Sequence, residues 1–175
     1  TVVWEIDTAI VDPILKVDGN YILIAEKGRN KICLYIDNKL QYDVDDPDTV
    51  MSAELSSNGD VVVVTDKSSY RGGISVYNKS GEQIFSWASG SDAVICADIS
   101  AASRSVAVAL LNSDVTAKTT VQLFNVNETE SYAKIEMPDT VVYELQFVGD
   151  KVNAFGDNRV TGISSSGKIV YDNDF

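Results

Sequence analysis

Apolar residues along this chain gather in short runs and never keep the three-and-four spacing of a long helix. The runs at 21–25, 61–64 and 106–110 are continuously apolar, where a half-buried strand would alternate. Each run sits in the same setting: a polar strand and a tight turn before it, then a loop, an aromatic-tipped strand and a second tight turn after it. In the second copy the reading is a strand at 52–56, a turn at Ser57-Asn-Gly-Asp60, a strand at 61–65 and a loop at 66–73. A third strand at 74–77, a turn at Asn78-Lys-Ser-Gly81 and a fourth strand at 83–88 complete it. Asn and Gly in these turns supply the positive φ that tight hairpins need.

Tyr35, Tyr77, Phe124 and Ile163 hold one place in four successive copies, at spacings of 42, 47 and 39 residues. That is the period of a four-stranded propeller blade. A sandwich leaves one face of each sheet wet and keeps alternation, whereas stacked blades cover both faces. The expected fold is therefore all-β: a β-propeller of about four four-stranded antiparallel blades, at 12–44, 51–88, 93–137 and 141–175. Residues 1–8 read as a strand of a preceding or closing blade. Four blades is the low end for closed propellers, which have roughly four to eight. The expectation is part of a seven- or eight-bladed disc, or a half completed by a second copy of the chain. The fourth copy is the most degenerate, with Asn153 interrupting its apolar run and Gly162 its third strand. The end copies show no obvious polar caps, so two exposed apolar blade faces and a homodimer are expected.

At 175 residues and 45% apolar, the chain can bury a core. It carries 26 acidic and 14 basic residues, a net charge of −12. Such a surface repels nucleic acid and anionic membranes. Cys33 and Cys96 lie in strand-like runs of different repeats and read as buried reduced thiols. There is no membrane span and no signal peptide, and the chain starts Thr-Val-Val-Trp without an initiator Met, as a fragment would.

The stretches 18–25 (Asp-Gly-Asn-Tyr-Ile-Leu-Ile-Ala), 32–39 (Ile-Cys-Leu-Tyr-Ile-Asp-Asn-Lys), 56–64 and 74–81 resemble blades of an uncharacterised group. These are membrane-anchored propeller proteins of Gram-positive bacteria such as clostridia. More distantly, the stretches resemble WD40-like and quinoprotein-like repeats. The Trp-Asp signature of WD40 repeats is missing, since Trp4 precedes Glu5 and Trp87 precedes Ala88. The resemblance implies an extracytoplasmic domain on the outer face of the cell membrane, held by an N-terminal anchor outside this chain. It supplies no catalytic residues.

Histidine is absent, which removes the commonest general base and metal ligand and excludes Ser-His-Asp and Cys-His catalysis within the chain. No phosphate-cradling glycine loop is present. The acidic run Asp43, Asp45, Asp46, Asp48 lacks the glycine and closing Glu of a calcium loop and reads as a solvated turn. No metal site and no cofactor are expected. Aligning the repeats puts Lys16, Glu54, Asp98 and Gln146 at one place in the first strands, which line a propeller's channel. They read either as a polar ring for a small polar ligand or as ion-paired channel polarity. The loops at 66–73 and 112–119 fall on one rim, where Tyr70 and Arg71 are the expected contact residues. The primary reading is a non-enzymatic binding or scaffold propeller for a protein or small polar ligand. A carbohydrate-active enzyme using Glu54 and Asp98 is the alternative, and a small-ligand or peptide sensor a third.

Overall fold

The computed structural model describes residues 5–6, 9–114 and 116–175, so the strand expected at 1–8 lies largely outside the described residues. Among the described residues, sixteen strands form four antiparallel meanders. The first sheet holds β1 (Pro13–Asp18), β2 (Tyr21–Glu26), β3 (Lys31–Ile36) and β4 (Lys39–Asp45). The second holds β5 (Thr49–Leu55), β6 (Val61–Asp66), β7 (Gly73–Tyr77) and β8 (Gln83–Ala88). The third holds β9 (Ala93–Ile99), β10 (Ser105–Asn112), β11 (Lys118–Asn125) and β12 (Ala133–Pro138). The fourth holds β13 (Val142–Val148), β14 (Lys151–Gly156), β15 (Arg159–Ile163) and β16 (Ile169–Asp174). Turn chemistry closes the hairpins. Asp37 and Asn38 both take positive φ, at 50° and 62°, as the two-residue turn between β3 and β4 requires.

The continuous apolar runs are explained by burial on both faces. Val61 to Val64 are all at most 4% exposed. Val61 and Val63 join a core with Leu23, Ala25, Ile32 and Leu34 of the first blade. Val62 and Val64 join another with Ala97, Val106, Val108 and Phe124 of the third. In β10, Ala107 and Ala109 turn the other way, into a core with Leu145, Val152 and Ile163 of the fourth blade. The marker residues all point backwards: Tyr77 packs on blade 1, Phe124 on blade 2 and Ile163 on blade 3.

Strand register defines four equivalent rows, because residues opposite one another share a face. They are Lys16–Leu23–Leu34–Tyr42, Glu54–Val62–Val76–Phe85, Asp98–Ala107–Leu123–Ala133 and Gln146–Asn153–Gly162–Tyr171. Each of the first three rows faces the following blade. The first three are apolar beyond their inner residue, and the fourth is not. Tyr171 lies across Gly162, where an added Cβ would meet its ring at 2.1 Å, and its hydroxyl donates to Asn153 Oδ1 at 2.8 Å. The outward face of blade 4 thus carries a polar row, flanked by the half-buried Phe155 and Val160 on one side and by Val148, 58% exposed, on the other. The residues that made its repeat look degenerate are the ones that form that row. No apolar core joins blade 4 to blade 1 among the described residues. On blade 1 the backward face keeps Leu15 and Val17 59% and 62% exposed.

Polar ties cross the apolar cores. Asp46, in the connection from blade 1 to blade 2, is buried and accepts from the Tyr77 hydroxyl at 2.7 Å and the Asp48 N–H at 2.8 Å. Burial first, and then the Asp46 bond, hold the Tyr77 hydroxyl well above its ordinary pKa. Tyr42 lies in the same interface, but its hydroxyl is buried without a partner. The two tyrosines should therefore respond oppositely to losing their hydroxyls. In urea unfolding, Tyr77→Phe should cost about 1–3 kcal/mol, because it strips a donor from a buried carboxylate. Tyr42→Phe should be neutral or stabilising, since it removes an unpaired buried hydroxyl.

Candidate functional site

The inner strands β1, β5, β9 and β13 converge on a cleft of about 690 Å³. Lys16, Glu54, Asp98 and Gln146 all line it, joined by Tyr143 and Glu144. Lys16 and Asp98 each reach towards the next blade. Lys16 Nζ donates to Glu54 Oε1 at 2.7 Å, with both side chains more than a third exposed. Asp98 Oδ2 accepts from the Phe147 backbone N–H at 2.6 Å. Gln146, in the fourth row, meets no further blade among the described residues and is exposed. The four form an arc of blade-to-blade contacts around the cleft, and the Lys16–Glu54 pair expected as ordinary channel polarity is present.

Asp98 is the electrostatic outlier of the cleft. Burial pushes its carboxyl up to about 6. The Phe147 and Ile99 N–H groups and Lys16 pull it back, while Glu54 pushes further upwards. Cys96 lies two residues away on the same strand. Burial, with Glu144, Glu54 and Asp98 nearby, pushes its thiol up to about 12. A thiol so disposed stays protonated and unreactive at neutral pH. Cys33 is likewise raised to about 11, chiefly by burial, and both cysteines are free.

Tyr143 and Glu144 escaped the sequence reading for a definable reason. A register shift between Val142 and Glu144 marks a bulge at Tyr143, leaving that ring 57% exposed at the cleft. Register shifts recur between Val50 and Ser52 and opposite Val94 and Cys96, so the bulge belongs to the repeat. Apolar patterning carries no signal for an inserted residue of this kind.

Tyr70 and Arg71 lie elsewhere. The cleft opens on the rim of the turns that follow first strands, through Ser56, Ala101 and Gly149. Tyr70 and Arg71 sit between second and third strands, on the opposite rim. Tyr70 is 51% exposed. The Arg71 backbone is built into the scaffold: its N–H donates to Ser89 O at 2.8 Å and its carbonyl accepts from Val94 N at 3.1 Å. The acidic run is occupied by structural partners. Asp43 pairs with Lys31, Asp46 with Tyr77, and Asp48 with Lys67 at 3.2 Å. No group of three or more metal-ligating residues is found among the described residues. No helix of the described residues is long and apolar enough to cross a membrane.

Four radially stacked meanders with first strands around a polar cleft define a β-propeller. The chain belongs to a family of unknown function, DUF5711, which matches residues 1–174. No curated protein matches it. Among solved structures it is similar to BamB from Moraxella catarrhalis, at 12% identity and TM-score 0.65, covering 100% of this chain and 56% of that one. It is also similar to the computationally designed Ika8, at 16% identity and TM-score 0.63, covering 91% of this chain and 48% of that one. The designed Ika4 matches at 14% identity and TM-score 0.60, covering 97% of this chain and 94% of that one. The chain thus spans about half the length of BamB and Ika8 and nearly all of Ika4. At these identities the likeness concerns the fold.

Asp98 gives the site a pH signature. The folded protein holds the Asp98 proton to higher pH than the unfolded chain, so ionising it costs stability as pH rises from the ordinary carboxylate range through about 6. Asp98→Asn removes that cost. The variant's unfolding free energy should exceed the parent's above pH 6, by about 3 kcal/mol at most, and converge with it near pH 3.5. Equal unfolding free energies at pH 8 would mean that ionised Asp98 carries no burial cost.

Proposed function

We propose that this chain is a non-enzymatic binding propeller whose channel cleft holds a small polar ligand. The observation that carries the reading is the convergence of Lys16, Glu54, Asp98 and Gln146 from four blades on one cleft. Polar groups that converge from several elements on one concave site can fix a ligand's orientation. Asp18, Glu54, Asp98 and Glu144 set four carboxylates against Lys16 there, which favours a ligand rich in hydrogen-bond donors or carrying positive charge. The extracytoplasmic, membrane-anchored setting rests on the family resemblance of the blade sequences. A second copy completing the disc would have to seat on the polar row of Asn153, Gly162 and Tyr171, so we favour a ligand for the cleft over self-assembly at that end.

The carboxylate enzyme is the second reading, and Asp98 is what favours it. A carboxyl near 6 suits a general acid at neutral pH. Its Oδ2 is already engaged by a backbone N–H, which suits a structural role better.

The test is thermal melting with spermidine, free arginine and a short Lys-rich peptide at millimolar concentration. At least one should raise the melting temperature of the parent, and none should raise that of Glu54→Gln/Asp98→Asn. Equal responses in both proteins, or none in either, would overturn the channel assignment. Glycan hydrolysis lost in Asp98→Asn would replace it with the enzyme reading.

A further inference from the structure

A second cleft, of about 610 Å³, lies between blades 2 and 3 at their outer strands. Its existence follows from a break in the repeat. One step outward from the marker residues, every later blade carries a polar side chain facing back: Ser75, Gln122 and Thr161. In blade 2 this group is satisfied locally, with Gln83 Nε2 donating to Ser75 Oγ at 2.9 Å. In blade 4 the Thr161 hydroxyl donates to Asp172 Oδ1 at 2.6 Å. In blade 3, Gln122 lies opposite Lys134, and neither side chain makes a hydrogen bond or ion pair with another described residue. Both line the cleft, as do Trp87, Glu130 and Ser131.

Trp87 is the second distinguishing feature. Its indole is half-buried against Phe124, with ring centroids 5.1 Å apart and planes tilted by 49°. Phe124 is fully buried, so the indole is backed by rigid core while its remaining surface lines the cleft. The N–H of that indole has no partner among the described residues. The cleft therefore offers one fixed aromatic face ringed by an amide, hydroxyls, the Lys134 ammonium and two carboxylates, Glu130 and Asp92, of which Asp92 already accepts from Asn112 Nδ2 at 2.8 Å. A ligand that fits has one flat C–H face and an edge of hydroxyls that both donate and accept. That is the chemistry of a pyranose ring, whose C–H face packs on aromatic surface.

We propose that the Trp87 cleft is a glycan-binding site, separate from the channel. The test uses the full chain with Trp4→Phe, so that Trp87 alone reports by fluorescence. The probes are cellohexaose, maltohexaose and N-acetylchitohexaose, each titrated to about 10 mM, beyond the millimolar range of weak sites. At least one should give a saturable change, weakened about tenfold in Gln122→Ala/Lys134→Ala. Those substitutions remove side chains that make no bond to the scaffold, so an unchanged melting temperature certifies the fold. No saturable change with any of the three sugars would overturn the assignment. So would a titration that passes unaltered through the double variant.

Discussion

A blade whose sheet is apolar on both faces cannot stand alone. That constraint organises this protein. Val61 and Val63 need blade 1 while Val62 and Val64 need blade 3, so the stability of each sheet belongs to its two interfaces. Burying a valine side chain is worth roughly 1.5–3 kcal/mol, and the second strands supply several per interface. Asp46 is admitted to the first interface because Tyr77 meets it, while the Tyr42 hydroxyl is buried there unmet.

The same constraint makes the ends of the stack special and positions the cleft. The polar residue that opens each row sits on an inner strand, and two of them reach forward: Lys16 to Glu54, and Asp98 to the Phe147 backbone. Lys16, Glu54 and Asp98 sit at joints between described blades, and Gln146 opens the polar row of blade 4. The cleft is thus a by-product of stacking, since the rows that are apolar outward become polar where they meet the channel. A ligand there would touch all four blades at once.

Much of the fold was legible in the sequence because two-sided burial abolishes alternation. The runs at 61–64 and 106–110 announced their strands, and aligning the copies put Lys16, Glu54, Asp98 and Gln146 at what proves to be one register position. What stayed hidden depends on contacts between blades or on inserted residues. The bulge at Tyr143 brings Tyr143 and Glu144 to the cleft without any mark in the apolar pattern. Asn153 and Gly162 looked like decay of the repeat until Tyr171 was seen lying over them. Tyr70 and Arg71 were rightly read as loop residues, but the rim that carries the cleft is the other one. The opening beside Trp87 reflects the missing local partner of Gln122, which single-strand reading does not reveal.

The central claim is that the outward row of blade 4 is too polar to form the apolar joint that links the three blades before it. The most direct measurement is the solution mass, by light scattering across a concentration series, of the parent and of Asn153→Val/Tyr171→Val. The substitutions make that row resemble the apolar rows of the three blades before it. The account predicts that the double variant gains mass with concentration relative to the parent, as an exposed apolar blade face recruits a partner. Identical masses at every concentration, with the variant folded, would contradict it.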